Sequence, residues 1–364
     1  MARKDTASVA GWLYARMRTW WRADLRSELW GLLPRIDSSN RPQTNPLAQA
    51  LKDNANLRWN MKVLASALAE QAYATGRAGP LAPIPAEPQR VGLRSKLCCQ
   101  ADIEAAWARH WCGQLHLTPL YRRGVWELCF VLQAVWEAGL LAEGKSGLGF
   151  AVGQEPLPAY LASRGVSVLA TDMGGVVDPA RLWRGVAGHA AQIGDLARPP
   201  YLEGVPFWKT GAFRAMDMAA IPEDLENGFD FCWSVGAFGH LGSVEAGLVF
   251  VETSLKSLKP GGIAVHTSEF NLDGSGESTD NWPTVLFRTQ HLDDLAGRLA
   301  AKGHELLAVD LDAGSGLFDR FIDHPPYEHD PHPALGYPSA PHLKLSVDGF
   351  PMTSIGLIIR KVAA

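Results

Sequence analysis

The chain has 364 residues, of which 47% are hydrophobic and 20% are charged, and this composition excludes a disordered or a fibrous protein. Its net charge of −4 disfavours a nucleic-acid partner, because proteins that bind polyanions are usually basic. No apolar run is long enough for a membrane-spanning helix, and no signal-peptide pattern opens the chain. Five cysteines without CxxC spacing disfavour a disulfide framework and a structural zinc site, so a reduced, cytoplasmic protein of enzyme size is expected.

Residues 1–40 are predicted to form an amphipathic helix and a linker. Within 8–33 the apolar residues recur every four positions, at Val9, Leu13, Met17, Trp21, Leu25, Leu29 and Leu33. Arginines lie among them, at Arg16, Arg18, Arg22 and Arg26. They would suit a helix lying on the anionic surface of the inner membrane. The alternative is packing on the body of the protein or on the second subunit of a homodimer, and Asp24 and Glu28 favour it because they dilute the basic face.

Residues 41–144 are predicted to be a helical region. Helical patterns cover 47–76, 100–112 and 120–142, whereas the four prolines within 77–91 exclude a helix there. The pattern over 120–142 is apolar on most faces. This helix is therefore expected to be buried against the domain that follows.

Residues 145–364 alternate between short apolar runs and helical patterns. Seven strands are predicted near 147–150, 166–171, 212–215, 229–234, 262–268, 305–311 and 355–360, with helices near 156–164, 245–258 and 291–302. This alternation indicates an α/β, Rossmann-like fold with a mostly parallel, seven-stranded sheet and helices on both faces. The last two strands are expected to form an antiparallel edge.

A glycine-containing turn follows the first strand and leads into a helix. The turn runs from Gly149 to Gly153, and Pro156 suits the first position of the helix. The second strand ends at Asp172, where a carboxylate can accept hydrogen bonds from both hydroxyls of a ribose. The two features together predict a nucleotide site. The alternative is a structural turn and a surface carboxylate.

Candidate ligand groups also follow the third and fourth strands. Asp217 can accept from an adenine amino group while Met218 lies against the ring, although a loop carboxylate and a core methionine would look the same. The fourth strand ends at Ser234 and opens into a turn that contains His240. Ligands of such sheets bind at the carboxyl ends of the strands, so these residues are expected to share one site.

The order of these motifs resembles the class I S-adenosylmethionine-dependent methyltransferases over residues 145–364. The most specific pieces are Leu258-Lys259-Pro260-Gly261-Gly262 before strand five and Phe229-Asp230-Phe231 at the start of strand four. More narrowly, the stretches 153–158, 240–243, 266–271 and 353–358 are similar to bacterial methyltransferases found with surface-polysaccharide genes. The resemblance implies S-adenosyl-L-methionine as cofactor, S-adenosyl-L-homocysteine as product, and a sugar hydroxyl of a glycan or an activated sugar as acceptor.

The first motif departs from the family pattern. The family has an acidic residue followed by GxGxG, whereas this chain has Gly149 and then Ala151, Gly153 and Glu155 at those positions. The role of the missing acid could pass to Glu155, to water or to the backbone. The cofactor-binding residues that the resemblance implies are Gly149, Phe150, Ala151, Gly153, Glu155, Asp172, Met173, Asp217, Met218 and Ser234.

Transfer to a hydroxyl requires a group that removes its proton. His240, just past strand four, is the first choice for this base, and His266 and Glu269 on strand five are the next. His240 could instead cap a helix or orient the substrate. His189, with Trp183 and Gln192, could line the cleft or have a structural role.

Several alternatives to this function stay open. The loop from 319 to 342 could bind a divalent metal, form a rigid lid or be a solvated surface loop, and the metal is not favoured; its candidate residues are Asp323, His324, Tyr327, Glu328, His329, Asp330, His332 and His342. The acceptor could be a small natural product, an RNA or a protein, and the acidic pI disfavours RNA. A degenerate, non-catalytic cofactor-binding subunit is a further alternative. A dinucleotide oxidoreductase would need GxGxxG directly after strand one, which this chain lacks.

Overall fold

The computed structural model describes residues 35–36, 42–43, 46–78, 84–173, 189–197, 201, 210–281, 284–325, 327 and 340–362. The helix predicted over 8–33 lies outside these residues. The chain divides into two compact units, Met1–Leu64 and Ala65–Ala364. The division predicted at residues 40 and 144 stays a prediction.

The first unit contains a pair of two-residue strands and the start of a long helix. Strands β1 (Arg35–Ile36) and β2 (Pro42–Gln43) pair antiparallel. Helix α1 (Pro46–Ala78) follows and confirms the helical prediction over 47–76. None of the helices in the described part of the chain is long and apolar enough to span a membrane.

The second unit is built on one sheet of eleven strands. The remaining strands in chain order are β3 (Ser95–Leu97), β4 (Ser146–Gly149), β5 (Ser167–Asp172), β6 (Gly211–Ala215), β7 (Phe229–Ser234), β8 (Leu258–Asn271), β9 (Asp280–Asn281), β10 (Thr284–Val285), β11 (Glu305–Leu306), β12 (Val309–Asp310), β13 (Ile322–Asp323), β14 (Lys344–Val347) and β15 (Phe350–Arg360). Strands β9 and β10 pair only with each other, outside the large sheet.

The order of the strands confirms the predicted mostly parallel sheet. Along the sheet the order is β12-β3-β15-β8-β7-β4-β5-β6, and the five strands from β8 to β6 run parallel to one another. Strand β15 pairs antiparallel with β11, as predicted for the last two strands, but it lies inside the sheet between β8 and β3 and not at its edge. This order brings the carboxyl ends of β8, β7, β4 and β5 side by side.

The predicted number of seven strands was too low. Strand β3 has only three residues, too few to show an alternating pattern, and it pairs with β15 at Ile355 and Gly356. Because β3 occupies that place, the strand predicted over 305–311 divides in two. Its first part, β11, pairs with β15, and its second part, β12, pairs with β3.

Helices cover both faces of the sheet. They are α2 (Gln100–Glu104), α3 (Ala106–Gln114), α4 (Arg123–Glu137), α5 (Leu157–Ser163), α6 (Val244–Ser254) and α7 (Thr289–Ala301). Successive residues of β7 point to opposite faces, so Trp233 packs in the core under α3, α4 and α5 while Cys232 packs in the core under α6 and α7.

Helix α4 confirms the burial predicted for residues 120–142. It packs against β8 and β15, and its Phe130 is fully buried. The ring of Phe130 fills the space where a side chain at position 356 would lie, so Gly356 on β15 allows the helix to approach the sheet closely. This approach carries the first turn of α4, with Arg123 and Glu127, to the carboxyl edge of the sheet.

Candidate active site

The turn after β4 is shaped by contacts with β7. A Cβ at Gly149 would lie 2.5 Å from Cζ2 of Trp233 and 2.5 Å from Cγ1 of Val152, so only glycine fits there. The backbone N–H of Phe150, which is fully buried, donates to the carbonyl of Trp233 at 2.8 Å. Ala151 and Gly153 both have positive φ, 48° and 53°, so the chain turns sharply before α5.

Asp172 lies at the end of β5, as predicted, but protein groups already occupy its carboxylate. Oδ1 accepts from the backbone N–H of Met173 at 2.7 Å and from Nδ1 of His189 at 3.1 Å. Oδ2 accepts from the backbone N–H groups of Gly153 at 3.1 Å and Ala190 at 2.9 Å. The residue is only 1% exposed. The carboxylate therefore connects the turn after β4 to His189 and Ala190.

Asp217 and Met218 follow β6, at the same edge of the sheet. Asp217 is exposed and uses Oδ1 to accept from the backbone N–H of Ala219 at 2.9 Å. Met218 is buried in the core under α6 and α7. An exposed carboxylate next to a buried thioether is compatible with the predicted adenine site, which stays a prediction.

Glu155 lies in the turn just before α5 and is partly buried. Its Oε1 accepts from Nε1 of Trp233 at 2.6 Å. Burial raises the pKa of Glu155 to about 8, and the nearby carboxylates of Glu127 and Asp172 add to the rise. The group that the family resemblance offered as a replacement for the missing acid is therefore a carboxyl that keeps its proton at neutral pH.

Two charged residues beside the site that the sequence interpretation missed are Arg123 and Glu127 on α4. Nη1 of Arg123 lies 3.0 Å from Oε1 of Glu127 and 3.2 Å from Oε1 of Glu269. Glu127 is 3% exposed and also accepts a hydrogen bond from Oγ of Ser354. Burial raises the pKa of Glu127, while Arg123 opposes that rise. The available signal was a pair of charges four residues apart on an otherwise apolar helix.

His240 and Glu269 face each other across the ends of β7 and β8. Nε2 of His240 lies 4.0 Å from Oε1 of Glu269. The carboxylate of Glu269 is 1% exposed and accepts from Oγ of Ser268 at 3.0 Å, whereas the His240 side chain is 28% exposed. This geometry places an accessible imidazole near a buried carboxylate, and Arg123 pairs with the same oxygen, Oε1.

His266 and Ser234 lie inside the protein, His266 within β8 and Ser234 at the end of β7. His266 is 0% exposed, its Nδ1 is 2.9 Å from Oγ of Ser234, and its Nε2 is 3.0 Å from Oγ of Ser254. Burial lowers the pKa of His266 to about 3, so the ring is neutral. The base predicted at His266 and the cofactor contact predicted at Ser234 stay predictions.

Four acidic side chains follow one another along the carboxyl edge of the sheet: Asp172 at the end of β5, Glu155 after β4, Glu127 beside the segment after β7, and Glu269 on β8. We call these four residues the carboxylate row. Each acts electrostatically on its neighbour, since Asp172 and Glu127 both raise the pKa of Glu155 and Glu269 raises that of Glu127. Among the described residues, Arg123 is the guanidinium that contacts the row. The row therefore has a surplus of negative charge that suits a cationic ligand.

The loop proposed as a metal site is described only in part. Nδ1 of His342 lies 2.8 Å from Oδ2 of Asp323, and Tyr327 packs edge-on against His342. Glu328, His329, Asp330 and His332 lie outside the described residues, as does Trp183. Within the described residues no group of three or more histidines, cysteines and carboxylates is placed to hold a metal ion.

No family model and no curated protein matches the chain. Among solved structures it is similar to a candidate sarcosine dimethylglycine methyltransferase from Galdieria sulphuraria, with 15% identity and a TM-score of 0.41 over 66% of this chain and 84% of that chain. It is also similar to the [4+2]-cyclase SpnF, with 16% identity and a TM-score of 0.40 over 66% of this chain and 83% of that chain. A third similar structure is a SAM-dependent methyltransferase from Aquifex aeolicus, with 14% identity and a TM-score of 0.34 over 64% of this chain and 89% of that chain. Similarities this low carry no argument about activity, which rests on the site itself.

Proposed function

We propose that the chain is an S-adenosylmethionine-dependent O-methyltransferase. The observation that carries this proposal is the carboxylate row at the carboxyl edge of a parallel sheet, where ligands of such folds bind. A sulfonium cofactor is cationic, and its charge would offset the surplus negative charge of the row. The cofactor supplies a methyl group that is already activated. The acceptor is a sugar hydroxyl of a glycan or of an activated sugar, and this part rests on the sequence resemblance alone.

The residues at the carboxyl ends of β5 and β6 would hold the nucleoside part of the cofactor. Asp217, with its exposed carboxylate, accepts from the adenine amino group, and Met218 packs beside the ring. Asp172 accepts from the ribose hydroxyls in exchange for His189, whose side chain is 35% exposed and is the one side-chain donor of the four. The backbone donors Gly153, Met173 and Ala190 keep the carboxylate in place during this exchange.

The residues at the ends of β7 and β8 would act on the acceptor. His240 removes the hydroxyl proton as the oxygen attacks the methyl carbon in line with the sulfur. The charge that develops on the imidazole is stabilised by Glu269, 4.0 Å away. Arg123 holds the Glu269 side chain in position, because its guanidinium lies 3.2 Å from that carboxylate. Arg123 is therefore a positioning residue for the base.

Calorimetric titration with S-adenosylmethionine and with S-adenosylhomocysteine tests the cofactor, and a screen of sugars and nucleotide sugars tests the acceptor. We expect both compounds to bind the purified chain. Failure of both to bind to folded, cofactor-free protein would support the non-catalytic subunit instead. If the chain methylates small metabolites but no sugar, the proposed acceptor is wrong and the proposed enzyme class stands.

His240→Gln tests the base. We expect turnover to fall by about 10²- to 10⁴-fold while cofactor affinity stays the same, since only proton removal is lost. His304→Gln is the matched control, because His304 lies in the turn between α7 and β11, in a different part of the sheet. Near-normal turnover in the His240→Gln variant would assign proton removal to another group.

A further inference from the structure

Glu155 differs from the other members of the carboxylate row in its partners. Asp172 has three backbone donors and His189, and Glu127 and Glu269 share Arg123. The partner of Glu155 is the indole N–H of Trp233, at 2.6 Å, and within the described residues no lysine or arginine forms an ion pair with it. Its carboxyl therefore lies between two like-charged neighbours without a cation of its own.

The groups around Glu155 come from three elements. Trp233 on β7 donates to it, Glu127 approaches from α4, and Asp172 approaches from β5. Burial raises the pKa of Glu155 to about 8, and the carboxylates of Glu127 and Asp172 add to the rise, whereas the hydrogen bond from Trp233 opposes it. A positive charge placed beside Glu155 would reverse the balance and favour the ionised form.

We propose that Glu155 is the seat for the positive charge of the sulfonium cofactor and that it gives its proton to solvent when this charge arrives. The inference rests on the proposed function and extends it to a proton-linked distinction between the cationic cofactor and the product, whose sulfur is neutral. The carboxyl of Glu155 exists in two states: protonated when the site is empty or holds product, and ionised when it holds the cation.

The protons balance over one turnover. On cofactor binding, the O–H bond of Glu155 breaks and one proton passes to the buffer. On methyl transfer, the positive charge at sulfur disappears, Glu155 takes one proton back from solvent, and the acceptor hydroxyl loses one proton to His240. The imidazolium of His240 then returns that proton to solvent. The net release is one proton per methyl group transferred, as the overall reaction of a neutral alcohol with a cationic sulfonium requires.

This arrangement makes the binding of the cofactor depend on pH. Below a pH of about 8, binding must remove the proton from Glu155, so affinity for S-adenosylmethionine should rise by up to about tenfold per pH unit as pH increases. Affinity for S-adenosylhomocysteine requires no such ionisation. The preference for cofactor over product should therefore grow between pH 6.5 and 8.

The test is calorimetric titration of the full chain and of Glu155→Gln with both compounds, at pH 6.5, 7.0 and 7.5, in phosphate and in Tris. The dependence of the measured heat on the ionisation enthalpy of the buffer gives the number of protons released. We expect the full chain to release close to one proton more than Glu155→Gln when S-adenosylmethionine binds, and no more than the variant when S-adenosylhomocysteine binds. Titration of the ligand's own amino group is common to both proteins and cancels in this comparison.

Equal proton release by the full chain and by Glu155→Gln would overturn the inference and leave the proposed function standing. Absence of binding by either compound at any pH would overturn both. If the variant does not fold, Trp233→Phe provides the second test, because it keeps the carboxyl of Glu155 and removes its hydrogen-bond donor. That variant should still release the proton, with the release persisting to a higher pH than in the full chain.

Discussion

Gly149 is a position where the contacts decide which residue is allowed. A methyl group there would overlap the indole of Trp233 and the side chain of Val152, each at 2.5 Å. We expect Gly149→Ala to lower the free energy of unfolding by about 1–3 kcal/mol, as overpacking of a filled core does. Gly297→Ala on α7 is the matched control, because nothing lies within 4 Å of its added methyl group, and it should be neutral or stabilising. Urea denaturation of both variants measures the difference, and equal stabilities would contradict the packing argument.

Asp172 is expected to contribute to stability as well as to ligand binding. An asparagine has only one acceptor oxygen, so Asp172→Asn would leave about two of the four donors facing an NH₂ group. We expect a loss of about 2–4 kcal/mol in the free energy of unfolding, because buried donors without acceptors are costly. Asp217→Asn should change stability little, since Asp217 is exposed and accepts a single hydrogen bond. Chemical unfolding of the two variants without ligand makes this comparison, and an unchanged Asp172→Asn would show that its four bonds contribute nothing.

The position of Asp172 could be predicted from the sequence, but its surroundings could not. A carboxylate after a strand of regular alternation is placed by the period of that strand. Its donors His189 and Ala190 come from an irregular segment 17 and 18 residues further along the chain, which has no periodic pattern. The same limit applies to His266, whose place on β8 was predicted but whose burial between Ser234 and Ser254 depends on how α6 packs.

Helix α4 lies before residue 145, outside the predicted catalytic domain, and it brings Arg123 and Glu127 to the candidate site. Its pattern predicted burial correctly, because nearly every face is apolar. Sequence spacing alone, however, makes Arg123 and Glu127 an ordinary surface pair on one helix. Their meaning depends on Glu269, a residue 146 positions away, which β8 brings to within 3.2 Å of Arg123. Contacts of this range follow from topology and not from local pattern.

Arg123→Met should therefore destabilise the junction of α4 with the sheet. It would leave Glu127 and Glu269 buried without their shared cation, and breaking a buried ion pair from one side costs about 3–5 kcal/mol. Glu127→Gln should cost less, because Arg123 keeps Glu269 and the amide can still accept from Ser354. Urea denaturation of the two variants gives the order of the costs. A larger loss for Glu127→Gln than for Arg123→Met would contradict the role assigned to the guanidinium.

The large sheet shows how far the overall topology follows from sequence. The parallel strands were predicted because helices alternate with short apolar runs, and the last two predicted strands do pair antiparallel. The insertion of β3 from residues 95–97 was not predicted, since three residues carry no period and their partners lie on strands β15 and β12, more than 200 residues away. Residues 95–97 thus add a strand to the sheet between β12 and β15, which come from the last 60 residues of the chain.

The stability of the whole molecule should have a maximum near pH 6.5, because two kinds of buried group act in opposite directions. Glu155 has its pKa raised from 4.5 to about 8 in the folded state, so the folded state holds a proton that the unfolded state loses. Its contribution is complete below pH 4.5 and is lost as pH rises through 8, at about 1.4 kcal/mol per pH unit. His266 has its pKa lowered from 6.5 to about 3, so its contribution is complete above pH 6.5 and is lost as pH falls. Burial also lowers the pKa values of His291, His304 and His342, which adds to the loss on the acid side.

Above pH 6.5 the contribution of His266 is nearly complete, and Glu155 is the group with the largest remaining change. We expect the free energy of unfolding of the ligand-free chain to fall by about 2 kcal/mol over this interval. Glu155→Gln removes the titrating group while keeping an acceptor for Trp233, so its stability should stay nearly constant over the same interval. Urea denaturation at pH 6.5, 7.25 and 8 measures both slopes. Parallel curves for the two proteins would mean that Glu155 is already ionised at neutral pH. The sulfonium cofactor would then bind without release of a proton from Glu155.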